Sequence, residues 1–74
     1  MPRSNIHSPE YQGFLKQMIK AREEAGLTQV QVAERLNKPQ SYISKCESGE
    51  RRIDITELAK FAKVYNKPLD YFVP

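Results

Sequence analysis

The stretch Gln40-Ser41-Tyr42-Ile43-Ser44-Lys45-Cys46-Glu47 gathers hydrogen-bonding side chains near the middle of a short chain. An amide at 40, a hydroxyl at 41 and an ammonium at 45 lie within two helical turns of one another. None has a general base beside it, so the chemistry on offer is recognition by hydrogen bonds rather than bond cleavage. The other reactive side chains do not assemble into a centre. Cys46 is the one cysteine and His7 the one histidine. Cys46 reads as a small core residue, and His7 falls in a polar N-terminal stretch. No Gly-rich phosphate loop, metal-ligand spacing or catalytic constellation is present, so the expectation is a non-enzyme with no metal and no cofactor.

Seventy-four residues allow one domain. With 39% hydrophobic and 28% charged residues, the composition is that of a folded domain rather than a disordered tail. A single cysteine excludes an intrachain disulfide framework and fits a reduced cytoplasmic setting. No apolar run approaches the roughly 20 residues that span a bilayer. MPRSNIHSPE has no apolar stretch after its arginine, so no signal peptide is expected. Twelve basic against nine acidic residues give a net charge of +3, which by itself favours a nucleic-acid partner only slightly.

The elements that position these side chains follow from caps and periodicity. Residues 1–8 read as a loose arm and 9–74 as the folded domain. Ser8 caps a first helix opened by Pro9. Its apolar face carries Tyr11, Phe14, Leu15, Met18 and the stem of Arg22, and Gly26 ends it. Leu15 and Ile19 are a possible second apolar edge. Thr28 and Gln31 form a capping box for a second helix, with Val32, Ala33 and Leu36 inward. Asn37 and Pro39 stop it. A third helix runs from about Gln40 to Ser48, anchored by Ile43 and ended by Gly49. Asp54 and Glu57 cap a fourth, whose stripe is Ile55, Leu58, Ala59, Ala62 and Val64 or Tyr65, with Phe61 also in the segment. Asn66 ends it, and Pro68 opens a last short helix through Phe72. The expected fold class is all-α: a compact five-helix domain with no sheet.

Two helices of about nine residues joined by a tight turn make a helix-turn-helix. Such a unit lays its second helix in a DNA major groove while the first braces it. That accounts for a polar central helix: one face must meet base edges and phosphates, and the other needs only an anchor or two.

The run GLTQVQVAERLNKPQSYISKCESGERRIDITELAKFAKVYNKPLDYF, preceded by Arg22, resembles the phage repressor and Cro-type (XRE-type) helix-turn-helix family. R-E-E-x-G-L-T-Q, V-A-E-R-L and Q-S-Y-I-S-K-x-E-S-G-E-R-R occur in order at consistent spacing, over roughly residues 11–72. The chain departs from the family in three places. Asn37 stands where glycine is usual, Pro39 opens the third helix, and Val30 is more apolar than expected and is read as packing. The resemblance implies a lambda-repressor-like fold and a sequence-specific double-stranded DNA partner. Gln40, Ser41 and Lys45 match the base readers: Gln40 suits adenine N6/N7 and Lys45 suits guanine O6/N7. Gln29, Lys38, Tyr42, Ser44, Arg51 and Arg52 match or flank phosphate contacts. Arg22 and Glu47 match a structural arginine–glutamate pair. A partly buried arginine on an apolar face needs such a carboxylate.

The aromatic C-terminal end, Leu69, Tyr71, Phe72 and Val73, either closes the core or supplies a dimer surface. A homodimer is expected, since one unit reads one half-site. The leading reading is a transcriptional regulator, and within that class a repressor acting at an operator. A toxin-neutralising antitoxin is the alternative, disfavoured because no extension beyond the five helices is visible. A protein-interaction module would carry acidic or apolar residues at 40, 41 and 45, where this chain has Gln, Ser and Lys.

Overall fold

The computed structural model describes residues 8–73. Four α-helices follow one another: α1 (Pro9–Glu24), α2 (Gln29–Leu36), α3 (Gln40–Ser48) and α4 (Ile55–Tyr65). A 3-10 turn, Leu69–Tyr71, stands in place of the fifth helix. Pro68 sets the entry to this segment, which closes only bonds of the 3-10 type, from Tyr71 N–H to Pro68 O and from Phe72 N–H to Leu69 O. The described residues contain no strand. Of the expected N-terminal arm, 1–8, only Ser8 lies among the described residues.

The boundaries are set by local chemistry. Ser8 Oγ accepts from Tyr11 N–H at 3.1 Å, and Pro9 occupies the first turn. Thr28 with Gln31 and Asp54 with Glu57 form reciprocal capping boxes on α2 and α4. Asn37 and Asn66 take the left-handed conformation at φ 59° and 57°, the cheapest residues after glycine for that duty. Gly49 is held more strictly. Its φ is +86°, and a Cβ there would stand 3.0 Å from Leu15 Cδ1. Glycine both ends α3 and admits Leu15 beneath the turn.

The core draws on every helix. Met18 and Ala21 of α1, Val32 and Ala33 of α2, Ile43 and Cys46 of α3, Leu58, Phe61, Ala62 and Tyr65 of α4, and Phe72 are all buried. Three expectations are corrected. Ile55 is 64% exposed because it is the first residue of α4, so its Cβ leans past the helix end rather than over the core. Ala59 is exposed because it follows Leu58 and lies one step of about 100° round the helix from it. Leu15 is buried at 4% and Ile19 half-buried, so the second edge of α1 belongs mostly to the core.

One polar pair lies inside this packing. Arg22 Nε donates to Glu47 Oε2 at 2.7 Å and Nη2 to Oε1 at 3.2 Å, while Nη1 donates to Leu27 O at 3.0 Å. Glu47 is buried at 6% exposure and ties the end of α3 to the end of α1. Removing one side of a buried pair costs about 3–5 kcal/mol. Glu47→Ala is therefore expected to lower the melting temperature by at least about 10 °C in a domain of this size, as thermal unfolding followed by circular dichroism will report.

The α4 capping box makes stability depend on acid. Burial raises the Glu57 carboxyl, but the Asp54 N–H, the Tyr42 hydroxyl and the Arg51 guanidinium outweigh it and leave it below its ordinary value. The Glu57 N–H and the Thr56 hydroxyl lower Asp54 likewise. Both groups are lowered in the fold, so their contribution is complete above the ordinary carboxylate range, about pH 4, and is lost as pH falls through the lowered values. Melting temperature measured against pH should fall on that side. Glu57→Gln should flatten the acid limb, because Gln31 performs the same capping duty without a charge.

Candidate nucleic-acid interface

Helix α3 has two faces. Ile43, Cys46 and Glu47 are buried inward. Gln40, Ser41, Lys45 and Ser48 are exposed, with half-buried Ser44 among them. The three residues Asn37, Lys38 and Pro39 join it to α2, and Lys38 N–H donates to Ala33 O at 2.9 Å, fixing the turn. Pro39 stands just before the helix as its N-cap, in extended conformation. Ile43 and Cys46 pack in the core and Glu47 is held there by Arg22 and Gln29, so the outer face is presented by a rigid backbone.

Gln40 is positioned by a relay of side chains. Its Nε2 donates to Gln29 Oε1 at 2.6 Å. Gln29 Nε2 in turn donates to Glu47 Oε1 at 2.9 Å, and Glu47 is held by Arg22. Four residues from three helices thus run from the core to the first residue of α3. Gln40 Nε2 keeps one N–H, its Oε1 keeps both lone pairs, and Gln29 keeps one N–H. That free pair on Gln40 is the set adenine N7 and N6 require. The Gln29–Gln40 bond has no signature in spacing, since the two residues belong to different helices.

Cations flank the outer face. Lys38 Nζ lies 5.1 Å and Arg51 Cζ 4.8 Å from the Tyr42 ring centre. Arg51 Nη1 also pairs with Glu57 Oε2 at 2.8 Å, and its N–H donates to Lys45 O at 3.1 Å, folding the loop back on α3. Arg52 stacks on Tyr11 at 4.9 Å. Lys45 is exposed and forms no ion pair among the described residues. Tyr42 is turned inward: its ring stacks on Phe61 at 6.3 Å, and its hydroxyl donates to Glu57 Oε2 at 3.1 Å. Burial and that acceptor raise its phenol, which stays protonated. Ser48 Oγ donates to Lys45 O and accepts from Glu50 N–H. Val30 is 53% exposed on the first turn of α2 and does not pack in the core.

The C-terminal residues divide. Phe72 is wholly buried and is core rather than dimer surface, because the 3-10 turn folds it back over α4. Tyr71 is half-buried, with its hydroxyl on Glu24 and Lys67 over its ring. Leu69 and Val73 are exposed at 44% and 60%. Ile55 adds to them an apolar side chain not expected outside. It lines with Tyr11, Phe14, Ile53, Leu58 and Val73 a shallow groove of about 350 Å³. Cys46 is buried, which raises its thiol, and His7 lies outside the described residues. No group of His, Cys, Asp or Glu among the described residues could hold a metal ion. No helix among them is long and apolar enough to cross a membrane.

Comparison with known proteins agrees with this geometry. The helix-turn-helix family profile matches residues 18–72. A solved structure, an XRE-family like protein from Pseudomonas syringae pv. tomato str. DC3000, is 38% identical; the alignment covers 93% of this chain and 89% of that one, with a TM-score of 0.83. No curated protein matches. With α2 and α3 inside the matched span and an identity that high over nearly the whole length, the chain belongs to the XRE-type helix-turn-helix family of DNA-binding regulators.

Proposed function

We propose that this protein is a sequence-specific double-stranded DNA-binding repressor that occupies an operator as a homodimer, in the cytoplasm and without cofactor. The observation that carries the reading is the two-faced α3, buried on one side and presenting Gln40, Ser41 and Lys45 on the other, with Gln40 already oriented by Gln29. Gln40 reads adenine through its free N–H and Oε1. Lys45 donates to guanine O6 and N7, and Ser41 serves a base or a phosphate. The spare N–H of Gln29 and the N-terminus of α2 meet one phosphate. Lys38, Arg51 and Arg52, with Ser44 between them, line the backbone on either side, while Tyr42, its hydroxyl given to Glu57, contributes by holding Lys38 and Arg51 against its ring. Repression then needs only occupancy. The second copy docks on the apolar residues left outside, Leu69 and Val73 with Ile55, and a dimer of this kind reads two half-sites about one turn of DNA apart.

Selection from a random duplex library at two salt concentrations tests this directly. An inverted repeat is expected, with half-sites about 34 Å apart. Weak binding with no enriched motif and a steep salt dependence would show phosphate contact alone. On the selected site, Gln40→Ala and Lys45→Ala should each cost about 1–3 kcal/mol of discrimination at one base pair. Lys38→Ala and Arg52→Ala should instead weaken all sequences alike and reduce the salt slope by about 1 each. Fluorescence anisotropy on matched and single-substituted duplexes separates the two classes.

A further inference from the structure

The apolar stripe of α4 ends on a residue that is not apolar. Tyr65 closes the helix at 3% exposure, its ring tilted against Phe61 at 6.1 Å between centres. A phenylalanine would fill that space and bring no polar atom into the core. The Tyr65 hydroxyl is buried and has no hydrogen-bond partner among the described residues. Buried polar groups are almost always partnered, and a lasting orphan is costly. The groups that act on it electrostatically are Glu47, Arg22 and Cys46. It therefore lies within electrostatic reach of the relay that supports Gln40.

The inventory of that relay leaves room for one more bond. Glu47 Oε1 accepts from Arg22 Nη2 and Gln29 Nε2 and is fully used. Oε2 accepts from Arg22 Nε alone and keeps one lone pair among the described residues. Arg22 keeps one N–H on each terminal nitrogen after its bonds to Glu47 and Leu27. A donor–acceptor hydroxyl, a free carboxylate lone pair and a free guanidinium N–H together meet the two to four partners that a buried water molecule requires.

We propose that Tyr65 is a positioning residue for base recognition: one enclosed water molecule joins its hydroxyl to Glu47 Oε2, making α4 a further support of the Arg22–Glu47–Gln29–Gln40 relay. With the hydroxyl bonded, Glu47 is held on the side facing the core as well as by Arg22 and Gln29. A Glu47 so held keeps Gln29, and through it Gln40, in one rotamer.

Tyr65→Phe tests the proposal on two readouts, of which only the second rests on the DNA-binding reading. Its melting temperature should fall. At the selected operator, its preference for the Gln40 base pair should shrink, and Tyr65→Phe should add no further loss of that preference in a Gln40→Ala background. A melting temperature unchanged or raised shows an unbonded hydroxyl and overturns the proposal. A lowered melting temperature with an unaltered base preference confines Tyr65 to the core and also overturns it. Should the variant fail to fold, NMR on the wild-type protein decides: a Tyr65 hydroxyl proton in slow exchange with an NOE to a long-lived water supports the bond, and exchange as fast as that of an exposed tyrosine refutes it. If the wild-type protein selects no motif, the DNA reading fails on its own account, while melting and exchange still report on the bond.

Discussion

The Arg22–Glu47 pair is the constraint on which the rest of the arrangement depends. A carboxylate at 6% exposure is tolerable in a small core only if its charge and lone pairs are met. Arg22 meets them with two N–H groups and Gln29 with a third. These bonds fix the last turn of α3 against α1 and the first turn of α2 against both. Three helices that already share one apolar core are thereby held at one relative placement. Apolar packing alone is less exacting, since methyl groups accept many neighbours at nearly equal energy. The pair thus supplies orientation where the hydrophobic effect supplies cohesion.

A second polar cluster works at the other edge of α3. Glu57 caps α4 through the Asp54 N–H, accepts from the Tyr42 hydroxyl and pairs with Arg51. Tyr42 is thereby pinned flat on Phe61, with Lys38 and Arg51 against its ring. Two long basic side chains that would otherwise sweep through solvent are held beside the outer face. Ordering them in the free protein lowers the entropy lost when they meet an anion. The exposed contacts themselves add little to stability, because solvent screens them. Their effect falls on placement.

The legible parts of the sequence were those governed by chemistry local to a few residues. Ser8, Thr28 and Asp54 announce helix starts, and Asn37, Gly49 and Asn66 announce ends, because caps and left-handed turns are decided within four residues. The polar outer face of α3 was readable for the same reason. What escaped depends on where helices meet. Ile55 fits the apolar period of α4 but sits before its first full turn, so it faces outward. Phe72 looked available as a surface and is core, since nothing local shows that the chain folds back after Pro68. Leu69-Asp70-Tyr71-Phe72 has the composition of a helix but closes only 3-10 bonds. The Gln29–Gln40 bond and the grip of Glu57 on Tyr42 and Arg51 join residues of different elements, and spacing along one element carries no trace of them.

The two polar clusters share the duties of fold and site in different proportions. Glu47 is buried and serves both, so replacing it disturbs stability and the placement of Gln40 together. A loss of binding in such a variant says nothing by itself about which was lost. Lys45 lies at the opposite extreme, exposed, with no ion pair among the described residues. Its replacement leaves the core untouched and reports on the contact alone. Gln29 and Gln40 stand between these cases. They are bonded to each other near the surface, and only Gln29 reaches the buried carboxylate. The distance of a residue from Glu47 along the relay therefore orders how far its effect on recognition can be separated from its effect on folding. Tyr65 is informative for the same reason: if the proposed bond reaches the relay from the core side, removing one oxygen atom takes away that bond and almost no volume.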